Sequence, residues 1–281
     1  LPTSARSEAL GGAFIGLVNS SFSGFHNPAG LGLLAWREAG FFFSRPYGLK
    51  ELSHFNFALA APNFLPEPLG AVSFAVQQYG FELYSEKDLR LSYADSFEKI
   101  FFYGVSVGYK RLSIQNYGYD DAFSLDVGTL LLLSSQWSLG FSAFNLNRPK
   151  IGQTHEPLPQ SYLFGLAYRP ERNLRILFDI EKDVRFPMMI KSGVEYEPVS
   201  AISLRMGFGT KPAKISGGIG IHYGALDIDY AMSSHADLGL THQAAVLFYF
   251  GVPKNSDGFA GKTRVFETVF YQSESFANGE S

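Results

Sequence analysis

Apolar and polar residues alternate with a period of two along most of the chain, from about residue 36 to residue 251. Residues 202–209, for example, read Ile-Ser-Leu-Arg-Met-Gly-Phe-Gly. Because successive side chains of a strand point to opposite faces, this segment is predicted to form a strand with one apolar and one small or polar face. Similar segments are separated by Pro, Gly, Asn and Asp. The predicted strands cover residues 36–45, 52–62, 69–79, 87–95, 100–112, 123–133, 136–146, 160–169, 173–182, 187–197, 200–209, 213–223, 225–233 and 238–251.

The length and number of these strands favour a membrane-spanning barrel. Each has about 9–13 residues, close to the ~9–11 that a tilted strand needs to cross a bilayer. Strands of soluble proteins average about 5–6 residues. An even number of strands brings both ends of the barrel domain to one side of the membrane. The predicted fold is therefore all-β, a 14-stranded antiparallel transmembrane β-barrel over residues 36–251.

A soluble β-sandwich would show the same alternation, since its strands also have one apolar and one polar face. Two features favour the barrel. The polar face is rich in Gly, Ser and Ala, whereas a sheet that faces water usually carries more charge. Aromatic residues also recur at the ends of the apolar face, as in the girdles at membrane interfaces. These residues are Trp36, Trp137, Tyr162, Tyr168, Tyr196 and Tyr223.

The composition agrees with a protein that contacts outer-membrane lipid. Hydrophobic residues make up 46% of the chain and charged residues 17%, against about 25% charged in soluble domains. No apolar run is long enough for a helical span. The sequence starts at Leu1 without a charged or apolar leader, so an exported form would have lost its signal peptide. We predict a location in the bacterial outer membrane.

Several other functions find no support in the sequence. The net charge of −3 offers no basic footprint, so we expect no nucleic-acid partner. Without cysteine there is no disulfide framework or thiolate metal site. The six histidines have no ligand spacing, and no Gly-x-Ser-x-Gly elbow is present. We therefore expect no metal, no cofactor and no enzymatic activity.

Residues 1–35 do not read as membrane strands but carry two short motifs. The motif residues are Gly11, Gly12, Ala13 and Phe14, and then Asn27, Pro28, Ala29 and Gly30. The series resembles the start of the FadL superfamily of outer-membrane proteins, which includes the PorV and PorQ proteins of type IX secretion. The resemblance implies a 14-stranded barrel whose N-terminal segment, residues 1–35, forms a plug in the lumen.

The chemistry of these motifs suits a plug. Glycine lets the backbone pass close to a barrel wall, proline fixes φ, and Asn before proline can cap a turn. Two interpretations of the motifs remain open: they fold the plug, or they also contact a ligand directly.

Charged residues on the predicted inward faces of the ninth to thirteenth strands form a second candidate site. They are Arg175, Asp179, Glu181, Lys191, Glu195, Arg205, Asp227 and Asp229. Opposite charges on neighbouring strands would pair across the ladder. They could line a polar conduit or bind the plug, through Arg6 and Glu8. Alternatively, they are ion pairs that fill a lumen which conducts nothing.

The predicted third part of the chain is a periplasmic C-terminal tail, residues 252–281. It has the composition of a strand, with apolar residues on both faces. We expect it to bind a partner chain through Val265, Phe266, Val269, Phe270 and Tyr271, by addition of a strand. The alternative is packing on its own barrel.

Two functions compete on this basis. The first is a partner-binding accessory subunit of a secretion or outer-membrane assembly complex, similar to PorV or PorQ, with a larger protein partner. Short predicted loops, the plug and the tail favour it. The alternative is a FadL-like passive transporter of hydrophobic molecules such as long-chain fatty acids. That alternative calls for a hydrophobic ligand, an apolar pocket and a broken strand near the plug. The first function is the main prediction.

Overall fold

The computed structural model describes residues 2–62, 64, 70–152, 155–235 and 237–251, in which strands dominate. The strands are β1 Arg37–Arg45, β2 His54–Ala61, β3 Ala71–Gly80, β4 Tyr84–Phe97, β5 Phe101–Ile114, β6 Gly118–Leu132, β7 Trp137–Phe144, β8 Lys150–Ile151, β9 Glu156–Pro157, β10 Ser161–Glu171, β11 Leu174–Asp183, β12 Met189–Val199, β13 Ile202–Thr210, β14 Ala213–Tyr223, β15 Leu226–His235 and β16 Gly239–Phe250. All of them except β8 and β9 belong to one closed barrel. The prediction of fourteen antiparallel barrel strands is confirmed.

The barrel closes where its first and last strands pair. β1 and β16 are antiparallel, with a register that runs from Arg37↔Phe250 to Arg45↔His242. β8 and β9 form a separate hairpin within the connection from β7 to β10. Within the described ranges, no helix is long and apolar enough to cross a membrane.

The strands differ from the prediction mainly in the hairpins around β5. β4, β5 and β6 have 14, 14 and 15 residues, and they extend beyond the predicted segments. The added ends, such as residues 118–122, are polar and rich in Gly and Asp. They pair because ladder hydrogen bonds join backbone groups and do not require apolar side chains. Tyr84↔Ile114 and Ile114↔Gly118 are the outermost pairs.

The two faces of the wall differ as the alternation predicts. Each of the fourteen barrel strands carries at least one exposed large apolar side chain. In β13, Met206 is 66% exposed, whereas the adjacent Arg205 is 5% exposed. Large apolar side chains are therefore exposed on the outer face of every barrel strand.

Residues 2–35, the N-terminal segment, pack against the inward face of the wall. They contain a short helix, α1 Ala5–Ala9, and two 3₁₀ helices, Ser21–Phe25 and Pro28–Leu33. α1 contacts β13 to β16, and Pro28–Leu33 contacts β3 to β6. The segment therefore reaches both sides of the ring of strands, and most of its residues are buried.

The ladder is continuous near this segment. β2 and β3 pair without a break from His54↔Tyr79 to Ala61↔Val72. In the described ladder, the recorded register shifts lie between Tyr168 and Glu171 and between Tyr196 and Val199. The expectation of a broken strand near the plug therefore finds no counterpart in β2 or β3.

Candidate functional site

Local hydrogen bonds fold the N-terminal segment. Ser4 begins α1 as its N-cap, because the backbone N–H of Ser7 donates to Ser4 Oγ at 3.2 Å. Asn27 caps the second 3₁₀ helix in the same way and accepts from Ala29 N at 3.1 Å. The amide of Asn27 also donates to Thr129 O of β6 at 2.9 Å. One side chain thus ends a turn and joins the segment to the wall.

The first predicted motif lies where the segment turns after α1. Gly11 and Gly12 have φ of +70° and +83°, the left-handed region that glycine adopts without strain. A Cβ on Gly11 would lie 2.6 Å from the backbone N of Phe208. Glycine is required at this position both for its conformation and for the close approach to β13.

The residues that follow the two glycines are buried. Ala13 and Phe14 belong to the hydrophobic core of the segment. The backbone N–H groups of Phe14 and Ile15 donate to Asp179 Oδ2 at 2.7 and 2.9 Å. Asp179, predicted as a lumen charge, therefore binds the backbone of the first motif.

The second motif packs against glycines on the opposite wall. A Cβ on Gly104 of β5 would lie 2.6 Å from Ala29 N, and one on Gly128 of β6 would lie 2.7 Å from Pro28 Cδ. Ala29 is completely buried, and Gly30 packs against Val18. In this arrangement the second motif contacts protein on all sides.

Inward-facing glycines accompany the N-terminal segment around the barrel. At each of them, a Cβ would come within 3 Å of an atom of the segment. Such glycines are Gly40, Gly104, Gly128, Gly140, Gly165, Gly193, Gly207 and Gly218. Together they form a groove in the wall that matches the path of the backbone.

One buried ionic network joins α1 to the wall. The carboxylate of Glu195, which is completely buried, accepts from Arg6 Nε at 2.8 Å, Arg175 Nη1 at 2.8 Å and Arg205 Nε at 2.7 Å. Arg205 also pairs with Asp229. Arg175 also pairs with Glu197 at 2.9 Å. Three guanidinium groups thus face three carboxylates, an arrangement that offsets the cost of burying each charge.

The remaining predicted charges lie in other places. Glu181 pairs with Lys191 at 2.5 Å. Asp227 accepts from the hydroxyl of Tyr249 at 2.6 Å. Of the eight predicted lumen charges, Arg175, Glu195, Arg205 and Asp229 share one network, and Asp179 and the Glu181–Lys191 pair are separate. Asp227 reaches the network only through hydrogen bonds by way of His222 and Ser203. The sequence did not distinguish these groups.

Electrostatics also fix the charge states within the N-terminal segment. Burial would raise the pKa of Glu8, but the ammonium group of Lys214 at 2.8 Å holds that pKa below its usual value. Burial is the main cause that lowers the pKa of His26 to about 3. Glu8 is therefore charged and His26 neutral near pH 7.

A second ionic cluster escaped the prediction. Arg90 of β4 pairs with Asp88 at 2.8 Å and with Asp126 of β6 at 2.9 Å. Lys110 of β5 pairs with Asp88 at 2.5 Å. Arg90 Nη1 also donates to Gly24 O of the N-terminal segment at 2.9 Å. A signal was present, since Asp88 and Arg90 alternate with leucines that point outwards.

Two cavities lie on opposite sides of the N-terminal segment. The upper cavity, of about 970 Å³, is bordered by the connections that include Tyr47 and Leu158. The lower cavity, of about 280 Å³, lies at the other end of the barrel, beside Trp36 and Ala201. The segment contributes residues to both and therefore separates them.

The lining of both cavities combines apolar and ionic groups. Ile15, Phe25, Phe144 and Leu163 line the upper cavity together with ion-paired residues such as Lys191. Phe14, Phe22, Leu33 and Leu34 line the lower one, beside Arg6 and Asp229. Either cavity offers apolar surface to a small molecule, beside charges of which most, such as Glu181 and Lys191, are paired.

A row of polar residues near the lower cavity has the order of a Ser-His-Asp triad. Ser203 Oγ lies 2.8 Å from His222 Nε2, and His222 Nδ1 lies 2.9 Å from Asp227 Oδ1. Ser203 is completely buried, and its hydroxyl donates to Glu197 at 3.2 Å. The row therefore presents no accessible nucleophile and acts as a hydrogen-bonded chain between strands.

The predicted tail residues Val265, Phe266, Val269, Phe270 and Tyr271 lie outside the described residues. No protein-family model matches the sequence, and no curated protein matches it.

The fold does match solved structures. The chain is similar to the CymD monoaromatic hydrocarbon channel, with a TM-score of 0.67, 10% identity and coverage of 88% of this chain and 97% of that chain. It is similar to a Pseudomonas aeruginosa FadL homologue, with a TM-score of 0.66, 10% identity and coverage of 89% of this chain and 99% of that chain. It is also similar to the Pseudomonas putida toluene transporter TodX, with a TM-score of 0.63, 13% identity and coverage of 88% of this chain and 97% of that chain. The chain thus has the closed 14-stranded fold of FadL-type channels.

These matches contradict the main functional prediction. The prediction of a partner-binding accessory subunit of a secretion or assembly complex is wrong, since the matched barrels are hydrocarbon channels. Short predicted loops and an N-terminal segment in the barrel are compatible with a channel as well, so neither feature separated the two functions.

Proposed function

We propose that this protein is an outer-membrane channel for the passive uptake of small hydrophobic molecules. The observation that carries the proposal is the upper cavity of about 970 Å³ within a closed barrel. Its volume is at the upper end of the range for small-molecule sites, and its apolar residues with few free charges suit such ligands. The likeness to hydrocarbon and toluene channels supports the same proposal.

In this proposal the barrel, residues 36–251, spans the outer membrane. The exposed apolar side chains on all fourteen strands support this placement, because a surface of that extent is costly in water. Aromatic residues at the strand ends, such as the stacked Trp137 and Tyr168, suit the membrane interface.

The N-terminal segment acts as the plug of this channel. It separates the two cavities, and its contacts with the glycine groove and with Glu195 support a fixed position. The segment blocks the passage of water and ions through the barrel, whereas an apolar molecule can enter the upper cavity from the end of the barrel next to it. The tail, residues 252–281, forms a third part of the chain.

Uptake by whole cells tests the proposal. The protein is expressed in an Escherichia coli strain that lacks its own hydrophobic-compound channel, and initial uptake of radiolabelled toluene and oleate is measured. We expect a rate several-fold above that of cells with the empty vector for at least one of the two compounds. Equal rates for both compounds would contradict the proposal.

A hydrophilic solute provides the control. Uptake of radiolabelled sucrose is expected to remain at the vector level, because the N-terminal segment fills the barrel. Faster sucrose uptake would show an open pore and remove the plug from the proposal.

A further inference from the structure

Glu38 of β1 is a buried carboxylate that the ionic networks of the barrel leave out. It faces inwards and is 4% exposed. Its Oε2 accepts from the backbone N–H of Ser21 in the N-terminal segment at 2.8 Å. Among the described residues, its Oε1 has no hydrogen-bond partner and the carboxylate has no ion pair. Because a buried carboxylate without a counter-charge is costly, this group requires an explanation.

The two nearest guanidinium groups are directed at other acceptors. Arg6 donates to both oxygens of Glu195 and to Asn19 Oδ1, each at 2.8 Å. Arg205 donates to Glu195 at 2.7 Å and pairs with Asp229. Neither group pairs with Glu38, so the carboxylate keeps one oxygen for a ligand.

Glu38 borders the lower cavity, which has a volume of about 280 Å³. Small-molecule sites begin at about 300 Å³, so this cavity suits a ligand with one ring or a short chain. Ser200 and Ala201, in the exposed turn between β12 and β13, border it as well. A ligand can therefore reach Glu38 from this end of the barrel.

The rest of the lining suits a cation that carries a hydrocarbon group. Leu34 and Leu247 supply apolar surface, and Trp36 and Tyr249 supply half-buried aromatic rings. Tyr249 lies directly opposite Glu38 in the β1–β16 ladder. Aromatic faces attract ammonium groups, so the rings and the carboxylate favour the same kind of ligand.

The charges of the lining also favour a cation. Glu38, Asp227 and Asp229 supply three carboxylates, against the two guanidinium groups of Arg6 and Arg205. Within the described ranges, however, no three His, Asp or Glu side chains come together as metal ligands. The lower cavity therefore fits an organic ammonium ion better than a metal ion.

We propose that the lower cavity binds a small hydrophobic primary amine, whose ammonium group pairs with Glu38 and whose hydrocarbon part lies against Leu34 and Trp36. This site is separated from the upper cavity by the N-terminal segment. It goes beyond the proposed transport function and does not depend on it, because binding can be measured without uptake.

Three probes that share one phenyl ring and differ in charge test the site. Calorimetry on the full chain in nonionic detergent, at about pH 7, measures the affinity for 2-phenylethylamine, 2-phenylethanol and 3-phenylpropionate. We expect the amine to bind at least about tenfold more tightly than the other two, because a charge-assisted hydrogen bond forms only with the ammonium group. Equal affinities for amine and alcohol, or tighter binding of the carboxylate, overturn the proposal.

Glu38→Gln removes the charge and keeps the shape, and its amide oxygen can still accept from Ser21. We expect it to weaken binding of 2-phenylethylamine about tenfold and to leave binding of 2-phenylethanol unchanged. The matched control is Glu171→Gln, the same change at an exposed position in the β10–β11 hairpin at the same end of the barrel. Unchanged affinity in Glu38→Gln overturns the proposal. So does equal weakening in both variants, because total charge would then explain it.

A second readout locates the ligand and retains Glu38, so it decides even where Glu38→Gln does not fold. Trp137→Phe leaves Trp36 as the only tryptophan of the chain. We expect 2-phenylethylamine to change the fluorescence of Trp36 at the concentrations that calorimetry gives, and an unchanged spectrum overturns the site. If the protein takes up no toluene or oleate yet binds the amine, the proposed function fails and the site remains. Uptake without amine binding removes the site alone.

Discussion

The two ends of the N-terminal segment are held to the wall in different ways. α1 combines close contacts at glycines with ion pairs, from Arg6 to Glu195 and from Glu8 to Lys214. Residues 28–33 contain no ionisable side chain and fit the wall by shape, at Gly104 and Gly128. Charge and shape therefore secure opposite sides of the same segment. The difference predicts that salt, pH and charge substitutions weaken the attachment of the α1 side to the wall. Added side-chain volume at a wall glycine should weaken the attachment of either side.

The largest effect is expected from Glu195→Gln, on the α1 side. This change leaves Arg6, Arg175 and Arg205 without their shared carboxylate, and removal of one partner of a buried pair costs about 3–5 kcal/mol. Urea unfolding in lipid vesicles, followed by the fluorescence of the two tryptophans, measures the loss. Trypsin is expected to cleave after Arg6 in the variant and to spare the wild type.

Glu197→Gln is the matched control for that prediction. Its carboxylate pairs with Arg175 and has a smaller electrostatic effect on Arg6 than Glu195 has, so we expect a smaller loss and no cleavage at Arg6. An equal loss in both variants would mean that total charge, rather than the contact with α1, determines stability.

The next effect is expected from Gly104→Val, on the side held by shape. The added atoms meet the backbone of Pro28 and Ala29, which cannot rotate away, and overpacking costs about 1–3 kcal/mol. The free energy of unfolding is measured as above, at low and high salt. Gly217→Val in β14 is the control, because a Cβ there finds its nearest neighbour, Arg205 O, at 3.6 Å. A loss that depends on salt would contradict the distinction between the two sides.

The smallest effect is expected from Glu8→Gln. Glu8 is buried, but the side chain of Lys214 is 26% exposed, so solvent weakens the pair and we expect it to contribute about 1 kcal/mol. Because the pKa of Glu8 lies below its usual value of 4.5 in the folded protein, the pair stabilises the protein above about pH 4.5. The contribution is lost as the pH falls through the lowered pKa. Stability measured between pH 7 and pH 3 should fall less in the variant than in the wild type, and identical curves would contradict this.

Much of the wall could be predicted from the sequence, because a strand with an apolar outer face and a crowded interior on the other side has a strict alternation. The same alternation placed Glu195 and Arg205 on the inward face. It could not show that Arg6, 189 residues from Glu195 in sequence, completes their network, since the register between segment and wall is a property of the closed barrel. The ends of β4 to β6 were missed because their ladders continue where apolar residues stop.

The choice between transport and partner binding lay beyond the sequence for a related reason. Both functions are compatible with the same strands, apolar on their outer face, and with the same N-terminal motifs. The comparison with solved channels, not a residue pattern, overturned the partner-binding prediction, and a cavity arises where side chains from distant strands leave space. Neither Phe25 nor Phe144, which both border the upper cavity, carries a local signal of that role.

The pairing of β1 with β16 has a consequence for the order of folding. This seam joins the two ends of the barrel domain and surrounds the N-terminal segment, which is covalently attached to β1. Contacts between residues so distant in sequence form slowly, and the segment touches strands from β1 to β16. Once the seam has formed, the segment can reach the lumen only through an end of the barrel and no longer through the wall.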